Sequence, residues 1–263
     1  MQKSVFKQQT LIRALVAGVM LATVPVGESW AEIAKPAKAK GLKVAGNPAL
    51  DNAIRDYLLK NPEVIRDAMM ALEAKERQAI ADEARKALTT HAKQLYDDPA
   101  SPVGGNPKGD VTVVEFFDYR CGYCRKVSPT VAALIESEPN VRVVYKEFPI
   151  LGAESLNASR AALAAHRQGK YVEFHKALMA TDDITEAVIT KIAADLGLDP
   201  VRFAKDREDA QTGAAIDATY ALASALKING TPAFVIGQQL IPGAAGLEAM
   251  KLAVALARNS KGR

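Results

Sequence analysis

The run Val111-Thr-Val-Val-Glu-Phe-Phe-Asp-Tyr119 is β-branched and aromatic almost throughout, and one residue beyond it stands Cys121-Gly-Tyr-Cys124. A near-continuous apolar stretch of that length, after a Gly/Pro/Asn-rich approach from Ser101 to Asp110, predicts a strand buried on both faces. From Gly122 the pattern turns helical, with Val127, Val131, Leu134 and Ile135 at three- and four-residue spacing until Pro139. The cysteines therefore sit where a buried strand hands over to a helix, which confines the chain to α/β architectures. At such a junction the free N–H groups and the positive end of the helix dipole favour a thiolate on Cys121, and Cys124 lies one turn further in.

Cys121 and Cys124 are the two cysteines of a 263-residue chain. Its first 31 residues read as an export signal: basic Lys3, Lys7 and Arg13, an apolar run from Ala14 to Val26, and Ser29-Trp30-Ala31 as a small-x-small cleavage site. That run is too short for the ~20 residues that span a bilayer. The cysteines are thus expected in an oxidising compartment. A scaffold disulfide stabilises by closing a long loop, and one across two residues constrains the unfolded chain very little. A structural zinc site needs four ligands, and His91, His166 and His175 stand at unrelated spacings, so no metal site is expected and the histidines read as surface or core residues. What remains is a dithiol that cycles between oxidised and reduced forms and needs no added cofactor. The formal charge is +4, of which Lys3, Lys7, Arg13 and Glu28 supply +2, so nothing in the balance suggests a nucleic-acid partner.

Phe116-Phe-Asp-Tyr-Arg-Cys-Gly-Tyr-Cys124, with Pro129 eight residues after the first cysteine and Thr231-Pro232 far downstream, resembles the thioredoxin superfamily, in its exported DsbA-like branch. The resemblance extends to the suppressor-of-copper-sensitivity and Com1-like proteins, which carry an N-terminal oligomerisation segment. It implies that Cys121 attacks and Cys124 resolves. Glu115, six positions before the first cysteine, would assist proton transfer at the buried second thiol. Gly230-Thr-Pro-Ala-Phe-Val-Ile-Gly237 would be the cis-proline loop facing the sulfurs, with Thr231 and Pro232 holding substrate. Tyr123, between the cysteines, would tune the redox potential and touch substrate. Asp118 and Arg120 would shift the thiolate in opposite directions.

The strand Val141 to Phe148 is followed by helical patterns over 158–166, 171–179, 184–196, 200–209 and 212–226, which a minimal thioredoxin fold cannot house. The expected fold is α/β, a thioredoxin fold with a helical insert over about 151–229, closed by strands at 233–236 and 239–241 and a helix at 247–258. Before it, Asn47-Pro48 and Asn61-Pro62 each place a capping Asn ahead of a Pro, predicting two helix starts, the second helix running to about Tyr96. Its stripe of Ile65, Met69, Leu72, Ile80, Leu88 and Leu95 is narrow and suits a partner helix, although a helix folded back on its own domain remains open. The organisation expected is a signal at 1–31, a flexible leader at 32–46, a helical oligomerisation arm at 47–100 and a catalytic domain at 101–263.

These features point to a periplasmic thiol:disulfide interchange protein acting on exported proteins, reset by a membrane redox partner and self-associating through its arm. Gly122, Tyr123 and Thr231 follow the isomerase and reductase members of the family. A monomeric dithiol oxidase and a copper-tolerance protein binding Cu(I) through the same cysteines are the alternatives.

Overall fold

The computed structural model describes residues 46–261. The export signal and all but the last residue of the expected leader lie outside the described residues. The chain divides into two units, one up to Ile65 and one from Arg66.

In the first unit, α1 (Pro48–Lys60) starts as the sequence predicts: the Asn47 side chain accepts from Ala49 N and Leu50 N, with Pro48 in the first turn. It buries none of its residues. Asn61 behaves differently from expectation. Its side-chain amide donates to Tyr57 O at 2.8 Å, closing the end of α1 instead of capping the helix that follows.

That helix, α2 (Glu63–Thr90), passes into the second unit, and α3 (Ala92–Tyr96) follows it. The single helix expected over 62–96 breaks at His91. Thr89 and Thr90 hydroxyls donate back to Arg85 O and Lys86 O at 2.9 Å each, a pattern that bends and ends helices. The expected boundary at residue 100 also shifts. Leu88 and Leu95 are buried with Val114, Phe116, Val144 and Leu226, so the last turns of the presumed arm help form the core of the catalytic unit. A polar seam fixes them there. Lys146, 1 % exposed, donates its three protons to Gln94 O at 2.6 Å, Ser101 Oγ at 2.7 Å and Asp98 Oδ2 at 2.9 Å.

A short strand the sequence does not announce, β1 (Val103–Gly105), comes next. Gly105 has φ +67°, and a Cβ there would meet Val141 O at 2.6 Å, so the position requires glycine. Then come β2 (Val111–Phe117), α4 (Gly122–Ser137) and β3 (Val141–Glu147). The helical insert comprises α5 (Ala153–Arg167), α6 (Tyr171–Met179), α7 (Glu186–Asp195), α8 (Pro200–Glu208) and α9 (Ala210–Ala225). The chain returns through β4 (Ala233–Ile236) and β5 (Gln239–Pro242) and ends on α10 (Leu247–Lys261).

The strands form one sheet in the order β1-β3-β2-β4-β5. β2 and β3 are parallel, joined through α4, while β1, β4 and β5 pair antiparallel. Strict alternation sends Val111, Val113 and Phe117 to one core, with Val127, Val131 and Leu134 of α4, and Val114 and Phe116 to the other. Burial on both faces is why β2 reads as a continuous apolar run. This is a thioredoxin fold with a helical insert, and it brings the end of β2, the start of α4 and the turn before β4 to one edge of the sheet.

Candidate active site

Asp118, Tyr119 and Arg120 carry the chain from β2 to α4, and Cys121 occupies the N-cap position with extended φ −72° and ψ 112°. Its backbone is held at both ends: Cys121 N donates to Asp118 O and Arg125 N donates to Cys121 O, each at 3.1 Å. No side chain caps this helix, so its first N–H groups and its dipole are directed at the Cys121 sulfur's own turn. Cys121 is 8 % exposed and Cys124 is fully buried, and both are free thiols. Burial pushes the Cys124 thiol far up, and the neighbouring Cys121 adds to the rise. The two sulfurs are thus unequal, one at the rim beside a helix dipole, the other kept protonated inside.

The Thr231–Pro232 peptide bond is cis. Cys121 Sγ donates to Thr231 O at 3.3 Å across 110 residues of sequence. Pro232 O accepts from Gly243 N at 2.8 Å, tying the turn to the end of β5. A groove of about 380 Å³ opens here, lined by Asn229, Gly230, Thr231, Pro232, Leu240 and Pro242. A larger cavity of about 420 Å³ lies by Leu88, Val111 and Gly237, at the start of β2 and so at the opposite end of the strand from Cys121. Tyr123 is 68 % exposed beside the first cysteine.

Glu115 faces the α4 side of the sheet between Tyr145 on β3 and Phe234 on β4. Burial, then the charge of Glu147, raises its carboxyl to about 8, and its Oε1 has no hydrogen-bond partner. Among the described residues no hydrogen bond joins it to either sulfur. Its strongest electrical neighbour is a second buried acid, Glu147, also lifted to about 8 by burial against the hydrogen bonds it receives. Glu147 Oε1 accepts from Tyr171 at 2.7 Å and from Tyr119 at 3.1 Å. Tyr119 Oη is also 3.1 Å from His175 Nδ1, and burial holds that imidazole down to about 3, hence neutral. This cluster lies two residues from Cys121 by way of Tyr119. Sequence reading missed it because Glu147 and His175 are far from the cysteines along the chain. His166 stacks edge-on against Tyr171. Among the described residues no group of three or more His, Cys, Asp or Glu is placed to hold a metal ion, and no helix is long and apolar enough to cross a membrane.

Comparison with known proteins gives this geometry a family. The chain is 48% identical to a thioredoxin-like oxidoreductase from Silicibacter pomeroyi, over 64% of this chain and 97% of that one, with a TM-score of 0.62. It is 29% identical to Proteus mirabilis ScsC in a transitional conformation, over 84% of this chain and 98% of that one, with a TM-score of 0.61. A curated relative, Na(+)/H(+) antiporter NhaA 3 of Salinispora tropica, is 30% identical over 216 residues, 79% of this chain. The chain spans only 33% of that protein's length. The family model described as copper resistance protein ScsC N-terminal domain matches residues 49–79, and that of the DSBA-like thioredoxin domain matches residues 112–255. With more than half its length matched, the chain belongs to the DSBA-like thioredoxin domain family.

Proposed function

We propose that the chain is a disulfide isomerase and reductase of exported proteins, acting in the periplasm through Cys121 and Cys124. The observation that carries this is the unequal placement of the two sulfurs, with Cys121 at the helix N-terminus against the Thr231 carbonyl and Cys124 buried behind it. The Cys121 thiolate attacks a substrate disulfide, forming a mixed disulfide and expelling the second substrate sulfur as a thiolate that takes up a proton. Cys124 then loses its proton and attacks Cys121 Sγ, which releases the reduced substrate and leaves the protein disulfide. Glu115, with a carboxyl poised near neutral pH, is the proposed proton relay for that second step. Thr231 and Pro232 offer backbone to an extended substrate segment, and Tyr123 offers an exposed ring. No cofactor beyond the sulfur pair is required. A membrane redox partner restores the dithiol.

The direction is supported by Gly122, Tyr123 and Thr231, the residues that the isomerase and reductase members carry. It is supported also by the arm, which matches the N-terminal domain of ScsC. On α1, Leu50, Ile54, Tyr57 and Leu59 are all exposed. A second copy covering them would bury apolar surface and bring catalytic sites together around one substrate. The test uses Leu50→Glu with Ile54→Glu in the full chain, because a cut at Ser101 would remove the Leu88 and Leu95 core. The parent is expected to sediment as an oligomer and to unscramble a mispaired substrate. The double variant is expected to be monomeric, to lose unscrambling and to keep dithiol oxidation. A monomeric parent, or a variant that unscrambles equally well, transfers support to the oxidase reading. A copper role, suggested by the name of the arm's matching family, predicts Cu(I) binding that Cys121→Ser and Cys124→Ser each abolish.

A further inference from the structure

Asp118, three residues before Cys121, is fully buried. Its Oδ1 accepts from Arg120 N and from Ser155 Oγ, each at 2.7 Å, and its Oδ2 accepts from Leu151 N at 2.9 Å. A carboxyl that accepts three hydrogen bonds and donates none is bonded as a carboxylate. All three donors are neutral, so the charge is solvated by dipoles, and among the described residues no salt bridge pairs it with a cation. Arg120, the adjacent cation, is committed elsewhere: its guanidinium donates to Leu151 O at 2.8 Å and pairs with Glu154 at 3.1 Å. Leu151 is gripped at its N–H by Asp118 and at its C=O by Arg120. Arg125, in the first turn of α4, is likewise taken up by Asp182, through its carbonyl at 3.3 Å and its carboxylate at 3.7 Å. Lys126 is exposed to water. The negative charge of Asp118 is felt at a distance, for it contributes to raising both Glu147 and Tyr220.

We propose that Asp118 is a positioning residue that sets the redox poise of the Cys121–Cys124 pair: its hydrogen bonds fix the turn bearing Cys121, and its uncancelled buried charge opposes the thiolate that the start of α4 favours. The inference rests on the dithiol reading above and deepens it. The disulfide form is neutral, and a thiolate at Cys121 can exist in the dithiol form alone. A fixed anion in the same turn penalises the second form alone, so it makes the pair a weaker oxidant than the helix N-terminus by itself would. Asp118 therefore pulls the protein toward the reducing and isomerising end of its family, and Arg120 is kept from offsetting it by Glu154.

The test is the equilibrium of the full chain with glutathione at pH 7, read by alkylation and mass. Two glutathione thiols give two electrons to the protein disulfide, yielding the dithiol and one glutathione disulfide. Asp118→Asn is expected to shift this equilibrium toward the dithiol by three- to tenfold, where tenfold is ~30 mV for a two-electron couple. Glu154→Gln leaves Asp118 in place and uncovers the Arg120 charge. It is expected to shift the equilibrium the same way by two- to threefold, and it decides the matter should Asp118→Asn fail to fold. A merely structural carboxylate would lower the melting temperature and leave the equilibrium where it was. A shift below twofold in Asp118→Asn, or in Glu154→Gln if that variant stands in, overturns the proposal, as does a shift toward the disulfide. A parent chain whose cysteines do not equilibrate with glutathione at all overturns the dithiol reading instead.

Discussion

Among the described residues α4, with 16 residues, buries Cys124, Val127, Val131 and Leu134, whereas α2, with 28, buries Leu88. Both helices carry apolar side chains at helical spacing. In α4 that stripe is consumed by the sheet and α10, and the helix N-terminus it fixes in space carries Cys121, the proposed attacking sulfur. In α2 Met69, Leu72 and Ile80 remain 56–67 % exposed, with charged residues around them. One helix has its stripe covered by its own domain; the other presents its stripe outward. The proposed chemistry and the proposed self-association thus fall on different helices, and substitutions in them should fail in different ways.

The largest expected effect is at the start of α4. Cys121→Ser should abolish exchange with a model disulfide, while Cys124→Ser should still attack and then accumulate mixed disulfides, visible by mass and released by reductant. Equal accumulation in both variants would break the division of labour between the sulfurs. Next, Leu134→Ala empties a fully buried position of α4 and should cost about 2–5 kcal/mol of unfolding free energy in urea. A smaller effect attaches to pH. Glu115 and Glu147 have carboxyls raised by burial, so the folded state holds protons that the unfolded chain releases. Their contribution is complete below the ordinary carboxylate range, and it falls as pH rises toward about 8. Each can impose a slope of at most about 1.4 kcal/mol per pH unit. Glu115→Gln stays neutral, so its stability relative to the parent should rise between pH 5 and pH 8. A constant difference would mean that Glu115 does not titrate in that window. The smallest effect belongs to α2: Leu72→Ala should change the unfolding free energy of a dissociated chain by less than about 0.5 kcal/mol. A cost as large as that of Leu134→Ala would erase the contrast between the helices.

The elements that carry strong local signals were legible. α6 and β4 have the bounds their periodicity predicts, and Asn47-Pro48 opens α1 as a capping pair should. The junction of strand and helix at Cys121 could be read because it is made from neighbours in sequence. What escaped depends on long-range partners. β1 is three residues, two of them glycine, and exists because β3 offers it an edge. The assignment of Leu88 and Leu95 to the catalytic core could not be seen from a stripe that looks the same whether a foreign helix or the sheet covers it. The surroundings of Asp118 escaped for the same reason: Leu151 and Ser155 arrive from 33 and 37 residues away.

The seam around Lys146 has a practical corollary. An amine whose three protons are all donated inside the protein is shielded from acylating reagents, while an exposed lysine such as Lys126 is open to them. Modification of Lys146 must wait for α3 to lift from the sheet. Its labelling rate is therefore a covalent clock for the parting of that helix from the catalytic unit, one that runs independently of any signal from the cysteines.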